Sequence, residues 1–377
     1  MRGTRGAEMR WAWAEIDSAA ISKNVAALKA LTRPKTLFMA VVKADGYGHG
    51  AAQAARAAIA GGADRLGVAT VMEGIELREA GIAAPILLLS EPPEESVPEL
   101  LEHRLTPTVT TREFAVAMGK RAASRDALAP YHLKIDTGMN RIGVHSGEAA
   151  AFARNLADFP GLKLEGTFTH LATADVLGDW EVTRALKRFE VALDEMRTEG
   201  VNPGIVHAAN SPATILYPES HYSMVRCGIA IYGLQPSADT EKALGLVPAM
   251  SVKARASLVK RIGMGDSVSY GYTWTASAPT TIATLPLGYA DGVHRVLSNS
   301  MDVLIGGKKC RQVGRVCMDQ LMVEVERGNE VRRGDEAVIV GEQGGTRLRM
   351  ETLAKAAGTI NYELACGFGL RLERHYR

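Results

Sequence analysis

The stretch TLFMAVVK (Thr36–Lys43), followed beyond ADGYGHG (Ala44–Gly50) by AAQAARAAIA (Ala51–Ala60), decides the fold. Leu37 to Val42 are all apolar, a short run that reads as a strand buried on both faces. The alanine-rich stretch reads as a helix packed against it. The same alternation continues to about residue 235. Strand-like runs recur at Arg65–Thr70, Pro85–Ser90, Leu105–Thr110, Tyr131–Asp136, Leu164–His170, Gly204–Ala209 and Met224–Ile229. Helical patterns fall at Val71–Ala80, Gly147–Ala157 and Trp180–Glu199. Buried strands separated by helices predict a parallel sheet. Counting Thr36–Val42, eight such units are present, the number that closes a (β/α)8 TIM-type barrel in the α/β class. An open doubly wound sheet is the alternative, but no GxGxxG follows a strand.

The pattern changes after Leu244. Alternating segments appear at Ser251–Ile262, Thr280–Pro286, Met301–Ile305, Arg311–Val325 and Glu336–Val340, and Gly306-Gly307 fits a tight hairpin turn. They predict a C-terminal, mainly antiparallel β domain over 245–377, closed by a short helix near Glu351–Ala357, after a barrel over 12–244. The run at 9–16 is expected to join the β domain as a strand, with residues 1–8 as a flexible extension. Asp17 or Ser18 is expected to cap the first barrel helix.

Composition excludes several roles. The chain has 377 residues and a formal net charge of +2, with no basic surface signature for nucleic acid. No apolar run approaches the ~20 residues of a membrane span, and no secretory run follows the N-terminal arginines, so the expected location is cytoplasmic. The four cysteines include no CxxC pair, and the nine histidines show no metal-binding spacing, so no metal is expected. A phosphate-cradling GxxxxGK[ST] loop is also missing.

Polar side chains stand where barrel strands end, as a barrel active site requires. Lys43 ends the first run and reads either as a buried structural cation or as an amine whose pKa burial lowers toward Schiff-base chemistry. Ser211, after Asn210 and before Pro212, reads either as an ordinary helix cap or as a phosphate ligand shared with the Gly228 backbone. Arg226, inside an apolar run, reads as a buried ion pair or a cofactor contact. His170 and His207 read as core groups or site groups. Arg141 lies in a glycine-rich loop. Nothing local marks Tyr270 or Tyr272 as a base.

AVVKADGYGHG (Ala40–Gly50) resembles the cofactor-lysine motif of alanine racemases. The resemblance runs from AWAEID (Ala12–Asp17) through KIDTGMNRIG (Lys134–Gly143), THLATAD (Thr169–Asp175), HAANS (His207–Ser211), VRCGIAIYG (Val225–Gly233), LPLGYADG (Leu285–Gly292) and VGRVCMDQ (Val313–Gln320) to INYE (Ile360–Glu363). It implies a pyridoxal 5'-phosphate enzyme that acts on a small amino acid, alanine, and supplies D-alanine for peptidoglycan. It also implies a homodimer with shared active sites. Lys43 would hold the cofactor and serve as one base, with Tyr270 of the partner subunit as the other. Tyr47, Asn210, Ser211, Gly228, Ile229 and Tyr362 would bind the cofactor, with His170 beside its ring. Arg226 would contact the ring nitrogen, supported by His207. Arg141, Met318 and Tyr289 would shape the substrate end, with Cys317 and Asp319 in supporting places. Lys134 matches a position carbamylated in some members, where it would fix Arg141. Asp45-Gly46 replaces a common Asn-Ala, and Asn140 replaces a common glycine. A decarboxylase of like architecture would need a carboxylate at the ring nitrogen, which Arg226 argues against. A racemase of other specificity, such as serine, stays open. A barrel-only binding protein without turnover is disfavoured by the β domain and Tyr270.

Overall fold

The computed structural model describes residues 10–325 and 328–377. Residues 1–8, expected as an extension, lie outside them. The chain divides into two compact units. One comprises Ile21–Gly46 and Ala51–Val247; the other takes the described residues up to Ala20, the segment Tyr47–Gly50 and Pro248–Arg377.

The first unit is the barrel. The eight strands of its ring, numbered one to eight here, are Leu37–Val41, Arg65–Val68, Ile86–Leu88, Thr108–Val109, Ala129–Asp136, Leu162–Phe168, Ile205–His207 and Met224–Cys227, and a two-residue strand, Val144–His145, pairs parallel to strand five off this path. Strand eight pairs with strand one, so the order runs eight, one, two, three in one sheet and four, five, six, seven in another. The bonds Thr106 N to Ile86 O and Leu88 N to Thr106 O join three to four. Ser223 N to Val206 O and Arg226 N to Ala209 O join seven to eight. The ring therefore closes, and the open-sheet alternative is wrong. Strand cores such as Phe38, Leu66, Leu88, Leu133 and Phe168 are buried. The longest helix, Trp180–Thr198, begins where Asp179 accepts from the Glu181 amide, satisfying an otherwise orphaned donor. Val182, Leu186, Phe189, Leu193 and Met196 recur every three or four residues and are buried as one stripe. Each such side chain contributes roughly 1.5–3 kcal/mol of burial.

The second unit is a ten-stranded sheet. The Arg311–Val325 run divides into strands Lys308–Gln312 and Leu321–Val325, leaving Val313–Gln320 as a loop. The hairpin at Gly306-Gly307 forms, with both glycines at positive φ and Ile305 opposite Lys308. The closing helix is Met350–Ala357. A second helix, Asn361–Gly367, was not anticipated because INYELACG has no side-chain cap at its start. Ala12–Ile16 lies between Met250–Arg255, antiparallel, and Glu373–Tyr376, parallel. Asp17 caps the following helix by accepting from the Ala20 amide at 2.9 Å.

Candidate active site

Lys43 directly follows strand one and opens a turn unlike any predicted from the sequence. Ala44, Asp45, Gly46 and Tyr47 all have φ between 51° and 60°, a left-handed turn carrying three non-glycine residues. Such residues cost about 1–2 kcal/mol each in this conformation, so neighbouring bonds must hold them. Glu73 accepts from the Ala44 amide at 2.7 Å while its other oxygen takes the Ala69 and Thr70 amides. Asp45 accepts from the Ala51 amide at 2.8 Å and so starts the next helix. Gly46 suits this φ better than an alanine would. Asn140 lies at φ 55°, a left-handed conformation that asparagine tolerates.

Arg226 lies on strand eight and is buried. Its Nη1 donates to His207 Nδ1 at 3.0 Å. Its Nη2 donates to Thr169 O, Ala208 O and His170 Nδ1 at 2.9, 3.1 and 3.2 Å. The Nε proton and one Nη1 proton have no acceptor among the described residues. The guanidinium also lies 5.2 Å from the centre of the Phe168 ring, on which His207 stacks. Burial pulls its pKa down to about 9. Burial, reinforced by the charge of Arg226, also drives His170 and His207 well below the usual histidine range, so both are neutral.

Lys134, on strand five, has its Nζ 4.8 Å from the Phe168 ring centre. Burial, with repulsion from Arg226 and Arg141, lowers its pKa to about 7. Arg141 is exposed.

Asn210, not Ser211, caps the helix Ser211–Leu216: its Oδ1 accepts from the Ala213 amide and its Nδ2 donates to Leu171 O. The Ser211 hydroxyl instead accepts from the Gly228 amide at 2.9 Å and the Ala230 amide at 3.4 Å. The ordinary-cap reading of Ser211 is therefore wrong, and Ser211 and Gly228 are neighbours. Ile229 follows Gly228 at the start of a short buried turn.

In the other unit, Tyr47 and Tyr362 approach with ring centres 6.4 Å apart. Tyr270 and Met318 line one concavity of about 800 Å³ with Cys317 and Asp319. Tyr270 is 72% exposed and Met318 52%. Their loops are tied together: Ser269 Oγ donates to Arg315 O at 2.7 Å, and the Tyr289 and Ala290 amides donate to Cys317 O and Met318 O. Asp291, fully buried, takes two bonds from Arg10 and one from the Gly288 amide, and Arg371 bridges Asp291 and Asp319. Sequence reasoning missed Glu73, Asp291, His132 and Glu165. Each sits in a segment that reads as plain strand, turn or helix start, with no local sign of its partner.

Among the described residues no group of acidic, histidine or cysteine side chains could hold a metal ion, and no helix is long and apolar enough to cross a membrane. Two family models match in chain order: "Alanine racemase, N-terminal domain" over residues 16–236 and "Alanine racemase, C-terminal domain" over residues 249–376. The chain is 46% identical to alanine racemase of Symbiobacterium thermophilum, covering 98% of this chain and 97% of that one. It is 45% identical to that of Carboxydothermus hydrogenoformans, covering 98% and 100%. Among solved structures it matches alanine racemase of Streptomyces coelicolor with a TM-score of 0.93, 38% identity and 99% coverage of both chains. The alanine racemase of E. faecalis matches with a TM-score of 0.93 and 37% identity, covering 98% of this chain and 99% of that one. With a closed barrel, an antiparallel C-terminal sheet and both family domains along its length, this chain belongs to the alanine racemase family.

Proposed function

We infer that the chain interconverts L-alanine and D-alanine with pyridoxal 5'-phosphate as its cofactor. The observation that carries the reading is Arg226: a buried cation with N–H groups to spare and a neutral histidine on each side. A pyridine nitrogen is the acceptor such a group fits. Arginine keeps its proton, so a ring nitrogen facing it stays unprotonated. Ser211 with the Gly228 and Ile229 backbone, and Tyr47 with Tyr362, are polar groups of the kind that hold a phosphate. Asn210 serves by fixing the start of the Ser211 helix.

The cofactor, when bound, supplies a conjugated ring that accepts the electron pair left at the α-carbon. The chain must then move one proton between two faces. Lys43 takes or returns it on one face, and Tyr270 of the partner subunit does so on the other. Two bases of unequal type invert configuration in either direction by exchanging roles. A cation nearby would favour the ionised form of Tyr270 that acts as a base. Arg141 orients the substrate carboxylate, while Met318 and Tyr289 bound the space around the substrate methyl group, with Cys317 and Asp319 setting their loop. The neutral amine of Lys134 is the form that combines with carbon dioxide. The resulting carbamate would place a negative charge between Arg226 and Arg141. A homodimer, a cytoplasmic location and delivery of D-alanine to peptidoglycan complete the proposal.

Solvent-deuterium exchange at the α-carbon, assayed over a panel of L-amino acids with pyridoxal phosphate present, tests reaction and substrate together. Alanine should exchange and racemise fastest. Tyr270→Phe should slow exchange from one enantiomer by roughly a hundredfold or more while the cofactor's absorption band survives. Near-normal turnover in that variant removes Tyr270 from the mechanism.

A further inference from the structure

Behind Arg226 a line of buried side chains continues through the barrel interior. His207 Nε2 lies 2.8 Å from His132 Nδ1, the rings meeting edge to face. His132 Nε2 lies 3.1 Å from Glu165 Oε2. Arg65 closes the line with a two-pronged bond to Glu165, 2.9 and 3.1 Å. The members come from strands eight, seven, five, six and two, and His132 and His207 are fully buried.

The direction of every proton in this line is forced. Arg226 can only donate, so His207 Nδ1 accepts and carries no proton. A neutral His207 then bears its proton on Nε2 and donates to His132 Nδ1. His132 is thereby protonated on Nε2 and donates to the carboxylate. No other arrangement satisfies all three contacts with neutral rings. Burial lowers His132, and its bonds to His132 and Arg65 hold Glu165 down to about 2, so rings and carboxylate keep these states. Gly166 makes room for the line: a Cβ there would sit 2.6 Å from His132 Cε1 and 2.6 Å from Ile205 O.

We propose that His132, Glu165 and Arg65 are positioning residues for the reaction: through His207 they lock the donor geometry of Arg226. The inference rests on the reading that Arg226 faces the cofactor's ring nitrogen. A directly adjacent carboxylate would neutralise Arg226 but would also lie beside the ring. Two intervening imidazoles separate Arg226 from the Glu165 carboxylate, whose charge Arg65 neutralises. Arg226 then keeps its charge while its spare N–H groups stay aimed at the ring. Loss of the line should act mainly on kcat, because it concerns the orientation of Arg226 at the ring rather than substrate contact.

The test uses holoenzyme with nitrogen-15 in the histidine rings and, separately, in the cofactor ring. His207 and His132 should both show a bare Nδ1 and a protonated Nε2, unchanged between about pH 6 and 8. A protonated Nδ1 on His207, or titration of either ring in that range, overturns the proposal without any variant. Glu165→Leu cuts the line at its half-buried end, where folding is least at risk, and His132→Phe cuts it at the centre. Both should mix the His207 tautomers, shift the cofactor ring nitrogen resonance and lower kcat about tenfold at little-changed KM, the loss of roughly one hydrogen bond. If Arg226→Met moves that resonance and the two line variants do not, the proposal fails while the reading of Arg226 stands. If Arg226→Met leaves it unmoved, the reading itself is wrong and the proposal falls with it.

Discussion

Among the described residues Arg226 has no acidic hydrogen-bond partner, and the energetic cost of burying it is offset by four acceptors rather than by an adjacent opposite charge. Replacing it with glutamate should let the ring nitrogen take a proton, deepen the electron sink and raise the ratio of transamination to racemisation. Product analysis by chromatography checks this, and an unchanged ratio counts against the assignment. Lys134 gives a pH-dependent prediction. Its unfolded pKa is 10.5 and its folded pKa is about 7. Between those values the unfolded chain holds one more proton, so stability rises with pH across the window, and the full penalty applies below it. Lys134→Met should therefore gain stability over the parent at pH 7 and lose that advantage toward pH 10.5. Thermal unfolding in buffer free of carbon dioxide measures it, and an advantage independent of pH would contradict it. Arg226 was legible because a charge inside an apolar strand has few explanations. His132 and Glu165 were not, because a polar residue in mid-strand looks the same whether it faces solvent or a partner on another strand.

At the scale of elements, the left-handed turn from Ala44 to Tyr47 is the most costly piece of backbone near the site, and Asp45 and Glu73 hold it. Asp45→Ala should cost about 1 kcal/mol, the usual loss of a cap, and should also loosen Lys43. Gly46→Ala adds left-handed strain of about 1–2 kcal/mol and a Cβ 3.1 Å from that of Ala54. Urea midpoints and cofactor affinity measured together check both: each variant should lose stability, and full stability in either would show that the turn is not strained. The barrel strands were readable since each is an apolar run bounded by loop residues. The turn was not, because Ala44 and Asp45 have no intrinsic preference for positive φ; tertiary bonds impose it. For the same reason the Arg311–Val325 run looked like one strand, although the bonds of Asn299 to Gly314 and of Gln312 to the Gly314 carbonyl bend it into the loop that carries Met318.

At the scale of the whole molecule, the proposed exchange of Tyr270 between subunits has a numerical signature. A Lys43→Ala chain and a Tyr270→Phe chain should each retain no more than about a hundredth of the parent's activity. Unfolded together and refolded, about half the dimers pair the two kinds, and each such dimer has one site with both native bases. Activity should return to about a quarter of the parent's, as twofold symmetry requires. No recovery would mean that both bases come from a single chain. The antiparallel sheet itself was foreseen from alternation, but its closing strand was not, because the ERHY segment (Glu373–Tyr376) is polar and acquires its role only from the strand beside it.

That closing strand has a consequence for biosynthesis. Trp13 pairs with Glu373 and Ile16 with Tyr376, so neighbours in the sheet are among the first and last described residues to leave the ribosome. Throughout translation, Ala12–Ile16 waits with an open edge on which foreign strands can nucleate. Chains stalled before Glu373 should be the aggregation-prone species during expression.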